Sequence, residues 1–100
     1  MTDDSAPRTF TEAEGLIRDE LSDILMCKQR DYGPGNIADF GEFGVLVRVN
    51  DKVARLKNLL SQGQRPENES IDDTWKDIAN YAVIALMVKR GYWGLPMEQL

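Results

Sequence analysis

Residues 72–90 read DDTWKDIANYAVIALMVKR. The stretch contains neither proline nor glycine, its apolar residues recur three and four apart, and Gly91 follows where a helix C-terminus favours a left-handed residue. The spacing predicts a helix from about Ile71 to Lys89. From Tyr81 to Val88 no residue is charged, so apolar side chains point in every direction around the axis, and such a helix is surrounded by protein. Two neighbouring helices of a short chain cover only part of that perimeter. The expectation is a homodimer or higher homo-oligomer packed through the C-terminal half of this helix. Its N-terminal half differs, because Asp73, Asp77 and Asn80, spaced four and three apart, share one face.

Working outward, SQGQRPENE at 61–69 is polar and holds Gly63 and Pro66, which marks a connection. Ser70 with Asp73 three residues later resembles a helix cap. Before the connection, Phe40, Phe43, Leu46, Val47, Val49, Val53, Leu56 and Leu60 recur at helical spacing, predicting a second helix from about Ile37 to Ser61 with Asn36 as its cap. Gly41 and Gly44 near its start each cost about 1 kcal/mol relative to alanine, so either the first turn is irregular or something packs close to that backbone. DYGPGN at 31–36 is a turn. The first helix is expected from a Thr11/Glu14 capping box to about Arg30. Ala13, Leu16, Ile17, Leu21, Ile24, Leu25 and Cys27 form its core face, and Arg18, Asp19, Asp23 and Gln29 face outward.

With no strand-like alternation, the fold class is all-α, a three-to-four-helix bundle assembling as a homo-oligomer. Residues 1–10 form a mobile tail and 11–100 a single helical domain. Tyr92, Trp93, Leu95 and Met97 after the third helix are expected to fold back onto the core or a partner. The net charge of −5 argues against general nucleic-acid binding, which needs clustered Lys and Arg. No apolar run approaches the roughly 20 residues of a membrane span. Nothing suggests secretion, and a cytoplasmic location is the default. Cys27 lies on the apolar face of the first helix and reads as a small core residue.

The polar faces carry the chemistry. Arg48, Asp51, Lys52 and Arg55 recur three and four apart on the second helix, and Asp73 and Asp77 face them from the third. Like charges at i and i+4 oppose the helix, and burying them costs several kcal/mol per ion unless a cation compensates. The plain reading is of two solvated faces joined by salt bridges, with Asp72 and Asp73 favoured by the helix dipole. The functional reading is a phosphate site with Mg²⁺, which needs oxygen ligands beside Lys and Arg. There is no histidine, which excludes histidine-ligated zinc and Ser-His or Cys-His catalysis. The GPG at 33–35 lacks the Lys-Ser/Thr pair of a P-loop.

Three blocks, K28-x-x-DYG-x-x-N36, then R48-x-x-DK-x-x-RLKNLL, then ES-I-x-DT-x-x-D-I-ANYA, resemble the nucleotide modification-associated domain 1 family. The resemblance covers about Leu16 to Lys89. It implies a nucleotide-related role in phage or bacterial metabolism or DNA base modification, in the host cytoplasm if phage-encoded. It also implies a helical layout like that of the all-α NTP pyrophosphohydrolases, the group of MazG and the dimeric dUTPases. Those enzymes cleave the α-β bond of nucleoside triphosphates with Mg²⁺ held by an E-x-x-E and a later E-x-x-D. Here Asp77 stands for the final Asp while Thr74 sits three earlier; Asp51 is the counterpart on the second helix while Ala54 sits three later.

Carried over, the resemblance implies Asp51, Asp73 and Asp77 as catalytic acids that hold Mg²⁺, joined by Glu69. Lys28, Arg48, Lys52 and Arg55 would bind phosphate oxygens, and Tyr32, Asn36, Asn80 and Tyr81 would contact base or sugar. The alternative is a non-catalytic phage accessory protein that sequesters a nucleotide or docks on a host protein.

Overall fold

The computed structural model describes residues 5–33, 40–63 and 69–98. It contains three helices, α1 (Phe10–Tyr32), α2 (Gly41–Ser61) and α3 (Glu69–Lys89), and no strand among the described residues. The all-α class stands. Helix α3 is the axis of the structure, with α2 packed along it and α1 resting against it through fewer contacts.

The α2–α3 seam is set by periodicity. Val45, Val49, Lys52, Val53 and Leu56 recur at three- and four-residue steps on α2, and Val45 and Leu56 are buried. Ile71, Thr74 and Ile84 are the buried counterparts on α3. Leu46 was expected in the core stripe, yet it stands 58% exposed, and Phe43 71%. The apolar arc of α2 is wider than one neighbour covers, and α3 takes the edge centred on Val45.

Helix α1 begins two residues before the expected capping box. Thr9 is the cap, its Oγ1 accepting from the Glu12 N–H at 3.1 Å, while Glu12 Oε2 accepts from the Arg8 N–H at 2.8 Å. Thr9-x-x-Glu12 carries the same chemical signature as Thr11-x-x-Glu14 and adds two residues to the helix. Only the C-terminal half of α1 meets α3. Leu21, Ile24 and Leu25 are half-buried, whereas Leu16 and Ile17 are exposed. Cys27 is exposed and not a core residue, because the docked face of α1 runs through Leu21, Leu25 and Lys28 and leaves position 27 beside it. Ser70 lies within α3 rather than at its cap. Asn36, the expected cap of the second helix, lies outside the described residues.

The glycines of α2 answer to both alternatives. Gly41 has φ +59, so the first turn is irregular, and a Cβ on Gly44 would lie 2.8 Å from the Cβ of Phe40. At the other end of the bundle, Gly91 (φ +75) closes α3 with the Tyr92 N–H bonded to Met87 O at 2.7 Å and the Gly91 N–H to Val88 O at 3.2 Å. This pair of bonds is a Schellman closure, and it needs a residue that accepts positive φ. It reverses the chain so that Trp93, 8% exposed, lies in one cluster with Val45 and Ile84.

The core is small. Among the described residues Val45, Leu56, Ile71, Ile84 and Trp93 are its buried apolar members. The radius of gyration is 15.8 Å, against about 13 Å for a compact chain of this length. Trp93 is the largest buried group, so Trp93→Ala should cost about 3–5 kcal/mol. Urea unfolding followed by circular dichroism checks this, and a loss below about 1 kcal/mol would show that the returning segment is not integral to the core.

Candidate functional site

A cleft of about 240 Å³ opens where the three helices meet, lined by Leu25, Lys28, Gln29, Gly33, Arg48, Asp77, Asn80, Tyr81, Ile84 and Trp93. Helix α1 supplies Lys28, α2 supplies Arg48, and α3 supplies Asp77, Asn80 and Tyr81. Five residues named as candidates from sequence thus converge on one cavity.

Asp77 organises the polar end. Its Oδ1 lies 3.1 Å from Lys28 Nζ, and its Oδ2 lies 3.0 Å from Lys52 Nζ. One carboxylate therefore ties α1, α2 and α3. Its side chain is 21% exposed, and burial alone pushes the carboxyl pKa up. The hydrogen bonds and charges of Lys52 and Lys28 outweigh burial and hold it below the usual aspartate range. Arg48 is half-buried in the cleft wall, and its guanidinium joins no ion pair among the described residues. Two lysines thus hold one carboxylate and the Arg48 guanidinium lines the same cleft, in a chain whose net charge is −5. The excess charge suits an anion.

Asn80 is buried and its Nδ2 donates to Leu21 O at 3.1 Å. A helix carbonyl keeps a second lone pair for such a donor. Asn80 straps α1 to α3, a structural duty that its expected contact with base or sugar did not include. Lys76, 2.6 Å from Glu20, adds a second strap at the surface. Tyr81 lines the apolar side of the cleft and packs against the core cluster.

The other candidates are placed differently. Asp51, Arg55 and Asp73 are exposed and outside the cleft lining. Asn36 and the side chains of Tyr32 and Glu69 lie outside the described residues. Thr74, three before Asp77, is 2% exposed and lies outside the cleft lining. Among the described residues no three carboxylate, thiol or imidazole groups converge. A resident Mg²⁺ prefers oxygen ligands in a near-octahedral shell, and the one carboxylate of the cleft already has an ammonium group on each oxygen. The described donor set does not fit a preassembled Mg²⁺ cage.

Sequence reasoning missed Gln29 and Trp93. Gln29 was placed on the outward face of the first helix, yet it is half-buried against the cleft. The signal for it was its place beside Lys28 at the end of α1 that docks. Trp93 follows Gly91 by two residues, the offset at which a Schellman closure returns a chain to its own helix.

A model of nucleotide modification associated domain 1 matches residues 28–88. The chain belongs to that family. The matched span begins at Lys28 and ends at Val88, so it contains every polar candidate of the cleft and leaves Trp93 just beyond it. The family's name associates it with nucleotide modification and assigns no reaction. No match was found among curated proteins, and none among solved structures.

The lowered pKa of Asp77 has a consequence for stability. A carboxyl held below its unfolded value contributes above the ordinary aspartate pKa of about 3.9 and loses that contribution as pH falls through the lowered value. Asp77→Asn should therefore cost about 1 kcal/mol at pH 7, a modest figure because Lys28 is largely in water. The gap between variant and parent should close as the pH drops below the usual aspartate range. Thermal melts across pH check both; a gap independent of pH would mean that charge is not what binds the three helices there.

Proposed function

We propose that the cleft binds a nucleotide, with the phosphates on Lys28, Arg48 and Lys52 and the base against Tyr81 toward the apolar wall that ends at Trp93. The observation that carries this reading is the convergence of Lys28, Arg48, Asp77, Asn80 and Tyr81, drawn from three separate sequence blocks, on one cavity. Lys28 and Arg48 in the lining, with Lys52 on the far oxygen of Asp77, supply the charge for a polyphosphate, and the walls of Leu25, Tyr81, Ile84 and Trp93 supply an apolar bed for a base. The description of the family as associated with nucleotide modification agrees with this chemistry. In the free protein Asp77 holds the place of the phosphate. A nucleotide entering the cleft exchanges its own oxygens for those of Asp77 on Lys28 and Lys52.

The stronger form of the proposal is pyrophosphohydrolysis in phage or bacterial nucleotide metabolism or DNA base modification, with a MazG-like bundle completed by further copies of the chain. The engagement of both Asp77 oxygens by lysines, together with the surface positions of Asp51 and Asp73, favours binding without turnover.

Titration calorimetry with a panel of NTPs and dNTPs, with and without Mg²⁺, tests binding, and pyrophosphate release under the same conditions tests turnover. Arg48→Ala should weaken the bound nucleotide at least tenfold, about 1.4 kcal/mol, while the exposed Arg55→Ala changes affinity less than twofold. Asp77→Asn should tighten binding of inorganic pyrophosphate if Asp77 is the displaced counter-ion. Loss of measurable turnover in the same variant would assign it to the reaction. Absence of heat with every nucleotide would overturn the proposal.

A further inference from the structure

Helix α3 has three sides. The first, through Asp77, Asn80 and Lys76, meets α1; the second, through Tyr81 and Ala85, meets α2. The third carries Trp75, Ala79, Ala82, Val83 and Leu86, at steps of four, three, one and three, which keeps them on one face. Trp75 is 55% exposed, Val83 43% and Leu86 49%. No charged residue interrupts this stripe, and among the described residues α2 borders it only at the Ala82 edge, in a groove with Phe43 and Leu46.

The ends of the stripe are charged in a particular way. Asp72 stands at its N-terminal end, and Lys89 and Arg90 at its C-terminal end, all exposed. Asp72 and Arg90 are eighteen residues apart, about five full turns, and so return to the same side of the helix. Each charge suits the dipole of its own helix end. Set against an inverted copy, the same pattern is self-complementary.

We infer that this face of α3 packs on the same face of a second copy of the chain, antiparallel about a two-fold axis near Asn80 and Tyr81. In that register Trp75 of each protomer lies over Leu86 of its partner, and Ala79 lies against Ala82. Asp72 comes beside Lys89 and Arg90. The two alanines at the crossing allow the axes to approach to about 8 Å, while the larger residues close the flanks. A parallel pairing would set Asp72 against Asp72 and Arg90 against Arg90. The charges therefore select the antiparallel copy, and an isologous contact of this kind closes as a dimer. The stripe faces away from the cleft, so the pairing leaves the cleft mouth open, and it stands or falls independently of nucleotide binding.

Analytical ultracentrifugation of the full chain tests the association, with a dimer expected at micromolar concentration. Leu86→Asp and Ala82→Arg should each weaken it at least tenfold while circular dichroism stays that of the parent, because both side chains are exposed. Charge reversal is the finer test. Asp72→Lys alone should weaken the dimer, and adding Lys89→Glu and Arg90→Glu in the same chain should restore it. Orientation is read by disulfide trapping in a Cys27→Ser background. A mixture of Trp75→Cys and Leu86→Cys chains should cross-link, and Trp75→Cys alone should not. A parent monomeric at 100 μM (about 5.5 kcal/mol) would overturn the inference. So would a dimer indifferent to both stripe variants, or cross-linking of Trp75→Cys with itself.

Discussion

A single carboxylate joins the three helices. Asp77 receives Lys28 from α1 on one oxygen and Lys52 from α2 on the other, and among the described residues Asn80 and Lys76 make the other polar contacts between α1 and α3. The apolar seam between α2 and α3 would hold without it. The position of α1, and with it the cleft, would be weakened, because α1 docks its apolar face only through Leu21, Ile24 and Leu25 and leaves Leu16 and Ile17 in water. Charge accordingly decides the geometry that hydrophobic burial leaves open. An ion pair of this sort, one fifth exposed on the acid side, is weak in isolation, and the straps at Asn80 and Lys76 act with it.

On the proposed reading the same arrangement would couple structure to ligand. The groups that hold α1 in place would also receive the anion, so an incoming phosphate would compete with Asp77 for Lys28 and Lys52. Binding would then loosen one link of the clasp while the ligand supplied another. Asn80 becomes more important under that exchange, since its bond to the Leu21 carbonyl does not depend on charge. The buried amide would thereby keep α1 on α3 beside an ion pair that the proposed ligand displaces.

Much of this was legible in the residues. The three helices, the end of α1 at Gly33 and the returning segment after Gly91 follow from glycine and proline placement and from a repeat of three and four, although Asp31 and Tyr32 of the expected 31–36 turn belong to α1 and 34–36 lie outside the described residues. The family match over residues 28–88 agrees with the three blocks that resembled it. The register of faces was less legible. Leu46 and Val45 are adjacent and both apolar, and only the approach of α3 decides which is buried at 1% and which stands 58% exposed. Cys27 and Gln29 were misplaced for the same cause, because periodicity defines the faces of a helix without saying how much of its length is docked.

The sequence alone determined the all-α class, the polar stripe of Asp73, Asp77 and Asn80, the basic stripe of α2, and an excess of apolar surface on α3. Local spacing suffices for these, since they depend on which residues share a helix face. Only the tertiary structure decided that Asp77 is the acid inside while Asp73 and Asp51 stay at the surface, that Trp93 walls the cleft, and that Asn80 spends its amide on Leu21. Each of those depends on where three helices cross, and the crossing is a compromise between the α2–α3 seam and the lysines that Asp77 draws together.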